Sequence, residues 1–168
     1  MTAEDFLRLL SRFAERPVPA TGGRHVYLWH GDLDRLEAAL PGGVLQPIDL
    51  HVLAAALTQA PRSTDAVRRL LLQSLRAHLT NMLSGEGQQV VVVTGCDLLS
   101  RYLVPLTPFF EAASDRTAVV FVVSPEETHF GRPTALPDYV SIVPQTPFDY
   151  LRSMARGPIV VNADEVSL

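Results

Sequence analysis

Between Gln88 and Leu99 the chain reads Gln-Gln-Val-Val-Val-Val-Thr-Gly-Cys-Asp-Leu-Leu. Four consecutive valines leave no polar face, and a strand of that kind is buried on both sides, as the central strands of parallel sheets are. The run breaks at Thr94-Gly95, and a helical pattern starts at once. A second stretch, Thr117 to Val123, is again apolar on both faces. Strands like these commit the chain to covering both sides of a sheet with helices.

The rest of the chain fits that demand. Phe6, Leu7, Leu9, Leu10 and Phe13 have helical spacing, with Thr2 as the cap. Arg16 to Gly23 is a Pro/Gly-rich linker, and His25 to Trp29 reads as a first strand. Asp32 opens a helix through Leu33, Leu36 and Leu40, which Pro41-Gly42-Gly43 stops. Val44 to Ile48 is a short strand interrupted by Pro47. Asp49 then opens a helix from Leu50 to Ala60. Ser63 or Thr64 caps a long helix to about Leu83, with Val67, Leu70, Leu71, Leu75, Leu79 and Met82 along one face. Helical turns follow at Asp97 to Tyr102 and Pro105 to Ala113. Beyond Val123 come a loop from Ser124 to Pro137, a strand from Tyr139 to Val143, a helix from Pro147 to Arg156 and a last strand from Ile159 to Val161. Strands and helices alternate, so the expected fold is α/β: a mainly parallel sheet with helices on both faces, in a three-layer sandwich like that of P-loop NTPases. The expected organisation is an N-terminal helix and linker over residues 1–20 and one α/β domain over 21–168. The N-terminal helix has two places to go, this domain or another protein.

Composition narrows the chemistry. All 14 basic residues are arginine, which excludes a lysine Schiff base, a lysine general base and a P-loop lysine. The net charge of -4 gives no general pull toward nucleic acid. Cys96 is the single cysteine, which fits a reducing compartment, and no run is long and apolar enough to span a membrane. A cytoplasmic protein is expected. The five histidines include no pair spaced for a metal on one helix face, so no metal site is expected.

Strand, turn, helix and then a second apolar strand with a polar end form the ground plan of a P-loop site. Its first turn needs glycines to wrap the phosphates, a lysine to reach them and a hydroxyl for magnesium. Here the turn is Trp29-His30-Gly31-Asp32-Leu33-Asp34-Arg35-Leu36. Gly31 is its one glycine, Arg35 stands near the lysine position, and Asp32 and Asp34 would repel phosphate. The acid expected at the end of the second strand is replaced by Thr94. Asp97, three residues on, reads first as a helix cap.

The order of features from His25 to Arg152 resembles the small P-loop protein of type 3 BREX phage-defence systems, the BrxF type. The likeness is carried by an Asp-Leu-x-x-x-x-x-x-Leu helix (Asp49 to Leu57) ending in Pro61-Arg62, by Val93 to Leu99, by Pro105-Leu106 with Phe109-Phe110, by Ser114-Asp115-Arg116-Thr117 and by Pro137-Asp138-Tyr139. The resemblance implies a phosphate-binding lysine near Leu33 to Arg35 and a magnesium-linked acid at Thr94, and neither is present. It therefore implies a degenerate member, a pseudo-ATPase that keeps the fold and has lost the nucleotide chemistry. On that basis the chain reads as a non-catalytic interaction or scaffold subunit of an antiviral defence complex, with no cofactor and with other proteins or further copies of itself as partners. One alternative is a nucleotide-dependent regulator that binds ATP and magnesium by completing its site with arginine or a neighbouring subunit. Another is an oligomeric adaptor unrelated to defence.

The remaining candidates concern partners. Arg62, Arg69 and Arg76 are spaced by seven and form a stripe, read as a solvated helix face with docking to an acidic partner or to phosphate as the alternatives. Arg116, beside Asp115, is read as half of a surface ion pair, with a place at the ligand edge of the sheet as the alternative. Phe130 is an aromatic tip suited to partner contact. Cys96 reads as a packed core thiol rather than a nucleophile.

Overall fold

The computed structural model describes residues 1–20, 24–57, 62–125, 146–154 and 157–163. Five parallel strands make one sheet: β1 (Val26–His30), β2 (Leu45–Asp49), β3 (Gln89–Thr94), β4 (Thr117–Val123) and β5 (Ile159–Asn162), in the order β2-β3-β4-β1-β5. The α/β class and the parallel sheet are as the sequence indicates. The position of one strand is not. The valine run is interior but second from the edge, and β4, buried at every residue, takes the middle. Burial on both faces identifies an interior strand without ranking the interior strands among themselves.

The strand order explains how the helices are shared out. From β1 the chain crosses the sheet to its far edge at β2, and every later connection runs back the other way. Right-handed crossovers put helices from opposite directions of travel on opposite faces. Accordingly, α1 (Ala3–Glu15) and α2 (Leu33–Glu37) pack on Tyr27, Trp29, Val90, Val92, Val120 and Val122. On the other face, α3 (Leu50–Ala55), α4 (Thr64–Met82), α5 (Asp97–Arg101), α6 (Thr107–Ala112) and α7 (Pro147–Ser153) pack on Leu28, Val91, Val93, Val119, Phe121 and Val123. Alternate residues of each strand feed alternate layers, as the pleat requires.

Of the two places open to the N-terminal helix, the structure has the first. Thr2 caps α1, and Phe6, Leu10 and Phe13 are fully buried. The Phe6 ring lies 4.8 Å from Tyr27 and 5.7 Å from Trp29. The arm that follows is tied down as well: Val18 donates its N–H to the Asp115 carbonyl at 3.1 Å, and its own carbonyl accepts from His25 Nε2–H at 2.5 Å. His25 Nδ1 must then be the acceptor for the Tyr27 hydroxyl at 2.8 Å.

Several boundaries differ from the sequence expectation. Pro47 lies within β2, which holds an edge of the sheet, where a proline is tolerated. Asp49 caps α3 as expected, accepting from the N–H groups of His51 and Val52, but the helix ends at Ala55. Ser63 rather than Thr64 caps α4, and α2 is one short turn. The expected strand Tyr139 to Val143, and Phe130 with its loop beyond Pro125, lie outside the described residues. Among the described residues, no helix is long and apolar enough to cross a membrane.

Candidate functional site

In a parallel α/β sheet, ligands gather at the carboxyl ends of the strands, where neighbouring connections part to opposite faces. In this sheet β1 sends its connection to one face and β4 sends its own to the other. The turn after β1 is therefore the first place to look.

That turn is filled by the chain itself. A Cβ on Gly31 would stand 2.2 Å from the Ala163 Cβ and 3.2 Å from Trp29 Nε1. Gly31 donates its N–H to the Val123 carbonyl at 3.2 Å, and Ala163 donates to His30 at 2.9 Å. The buried indole of Trp29 donates to the Asp32 carbonyl at 3.0 Å. The Asp32 side chain, expected as a cap, makes no bond to α2; it is exposed while the indole holds its backbone. Arg35 is engaged too, with Nη1 donating to the Ala163 carbonyl at 2.6 Å and its guanidinium 6.0 Å from the centre of the Trp29 ring. The end of β5 thus occupies the space beside Gly31 and takes a bond from Arg35.

The turn after β3 is built differently. Gly95 has φ +71, and a Cβ there would lie 2.8 Å from His51 Cδ2 and 3.2 Å from the His51 nitrogen. Only glycine combines that backbone conformation with so close an approach. Cys96, not Asp97, holds the N-cap position of α5, without a side-chain cap bond. The carboxylate of Asp97 instead accepts the His51 Nε2–H at 2.7 Å. This overturns the helix-cap reading of Asp97: the imidazole fills the place a capped backbone N–H would take. Asp97 is 6% exposed, and the His51 side chain is 34% exposed. The second carboxylate oxygen of Asp97 is buried with no hydrogen-bond partner.

Chemically, a buried carboxylate that fixes an imidazole with its Nε2 protonated leaves Nδ1 as the acceptor of a partly exposed ring. The pair also clasps α3 to α5 across the carboxyl ends of β2 and β3. Cys96 adds no nucleophile to it. The thiol is fully buried, with Sγ 3.6 Å from both the Val93 and Val122 carbonyls, as the packed-core reading has it. The Thr94 hydroxyl points to the Ile48 carbonyl at 3.5 Å. Among the described residues, no three His, Cys, Asp or Glu side chains gather to hold a metal ion.

The other sequence candidates lie apart from this edge. Arg116 precedes β4 and so stands at the amino-terminal edge of the sheet, away from the ligand edge. Among the described residues it forms no ion pair with Asp115 or any other carboxylate, so the ion-pair reading is corrected as well. The heptad stripe is reduced to two helical residues, because Arg62 lies ahead of the Ser63 cap. Arg76 is bound to Glu111 at 3.1 Å, and Arg69 is exposed. Nearby Arg68 donates to the Tyr102 carbonyl and pairs with Asp65. On the same side of the sheet, burial pushes the Tyr150 phenol up to about 12, Arg68 pulling the other way, so its hydroxyl remains a donor to the Val104 carbonyl at 2.7 Å. Burial also raises Tyr27.

No known protein family, curated protein or solved structure matches the chain.

Proposed function

We propose that this chain is a non-catalytic interaction or scaffold subunit of an anti-phage, BREX-like defence complex, built on a degenerate P-loop-like fold and working in the cytoplasm. The placing in defence rests on the resemblance of His25 to Arg152 to the small P-loop protein of those systems. The loss of nucleotide chemistry is supported by one observation above all: Ala163 fills the space against Gly31, and Arg35, the one cation of the β1–α2 turn, is bound to the Ala163 carbonyl. A phosphate-binding turn needs open backbone N–H groups and a cation free to reach the anion. In this reading the His51–Asp97 pair is a clasp between two helices rather than an acid–base device. The protein's partners are then other subunits, and its surface carries the function.

Calorimetric titration with ATP and magnesium tests the nucleotide half, with no binding heat expected; saturable micromolar binding would overturn it. Plaque assays test the defence half: removing the protein from a host that carries it, with its neighbouring genes intact, should abolish protection. Unchanged protection would sink that assignment.

A further inference from the structure

We propose that a notch at the amino-terminal edge of the sheet binds the carboxylates of an acidic peptide segment on a partner protein. The notch is an open depression of about 500 Å³ lined by Ala20, Arg24, Ala113, Ser114, Asp115 and Arg116. It lies at the opposite end of the strands from the two turns described above.

Two arginines give it its character. Among the described residues, neither Arg24 nor Arg116 has a carboxylate within ion-pair distance. Arg24 uses one guanidinium donor on the Phe110 carbonyl, which fixes its head while its other donors remain. Ser114 supplies a third donor. Its Oγ accepts the N–H groups of Arg116 at 3.2 Å and Thr117 at 3.1 Å, which leaves its own hydroxyl proton to give. Two guanidiniums and a hydroxyl proton around one depression make donors the larger part of its lining, with the Asp115 carboxylate as the opposing charge, and planar guanidinium forks match carboxylate geometry.

The rim is pre-set. Ser114 and Thr117 exchange backbone hydrogen bonds at 2.9 and 3.3 Å, and Val18 holds the Asp115 carbonyl at 3.1 Å. A rim fixed in this way has little ordering left to undergo when a ligand arrives. The Asp115 carboxylate on the rim and the net charge of -4 oppose every anion. A flexible peptide side chain can place its carboxylate against Arg24 or Arg116 and away from Asp115, which a phosphate backbone with its charges fixed along the chain does less readily. That the acidic segment belongs to a protein partner rests on the scaffold reading; the notch and its donors do not.

The test is fluorescence anisotropy of a labelled octaglutamate peptide titrated with the full-length chain at about 50 mM salt, where exposed charges are weakly screened. Saturable binding is expected, weakened about fivefold by Arg116→Glu, the fold-change at the upper end for one exposed charge pair. Arg69→Glu, an equally exposed change on α4, should leave binding as it was. No binding of octaglutamate, or equal losses from both variants, overturns the notch. Tighter binding of a single-stranded oligonucleotide of the same charge overturns the peptide assignment. Arg116 is exposed, so circular dichroism should show both variants folded alike. ATP binding in the calorimeter would sink the scaffold reading and leave the Arg116 dependence standing, so the two failures are distinguishable.

Discussion

The turn after β1 and the turn after β3 leave the same edge of the same sheet, and each contains a glycine whose missing side chain makes room for a neighbour. At Gly31 the neighbour is a methyl group, because the Ala163 Cβ sits where a side chain would be. At Gly95 the neighbour is an imidazole, because the His51 ring lies against a left-handed backbone. The first turn is closed by backbone and apolar atoms, and its one cation is bound to a carbonyl. The second holds an ionisable pair with one carboxylate oxygen left over. What each turn can do is set less by its own residues than by what the adjoining strand delivers: β5 brings Ala163 to the first, and β2 brings His51 to the second.

Four substitutions probe that contrast, the largest effect first. Phe6 lies under the first turn against Trp29, and Phe6→Ala should cost about 3–5 kcal/mol in urea unfolding, as for other buried aromatics. A loss below 1 kcal/mol would mean that α1 is not part of the core. Gly31→Ala should cost about 1–3 kcal/mol by overpacking, and Ala163→Gly in the same chain should restore most of it. Failure of that rescue would show that the crowding is not between these two residues. At the second turn, His51→Ala leaves the buried Asp97 carboxylate without its donor, for about 1–3 kcal/mol. The double variant His51→Ala/Asp97→Ala should lose less than the sum of the two single losses; strict additivity would remove the clasp. The smallest effect is a pH slope. Tyr150 is raised in the folded chain to about 12, so the stability it supplies is complete below its ordinary value of 10 and is lost as pH climbs through 12. Tyr150→Phe should flatten the alkaline fall of the melting temperature, and an unchanged curve would place the cause elsewhere.

Much of the frame was legible because burial on two faces leaves a plain mark. Thr117 to Val123 has the bounds read from its sequence, and the parallel sheet follows from the alternation of strands and helices. Strand order was not legible, since a valine run says only that neighbours exist on both sides. That the β1–α2 turn lacks a lysine and a hydroxyl at the P-loop positions is plain from its residues; that Ala163 lies against Gly31 is not, because the contact joins distant parts of the chain. Asp97 was misread for the same reason. Aspartate ahead of a helix is a cap by local preference, while its partner His51 is 46 positions away. Register was the missing signal. Once β2 is known to lie beside β3 with Asp49 opposite Thr94, residues just beyond the two strand ends fall side by side, and His51 and Asp97 are among them.

The position of β1 also bears on how the polypeptide is made. Val26 hydrogen-bonds beside Val119 on one flank, and Tyr27 beside Ile159 on the other. Both neighbours emerge from the ribosome long after β1 itself. The nascent chain must keep an apolar segment, Val26 to Trp29, waiting in solution until β4 and then β5 have been synthesised. Such late, long-range pairing is slow and exposes the segment to aggregation. During that interval α1, made first and already able to lie on Tyr27 and Trp29, is the available cover.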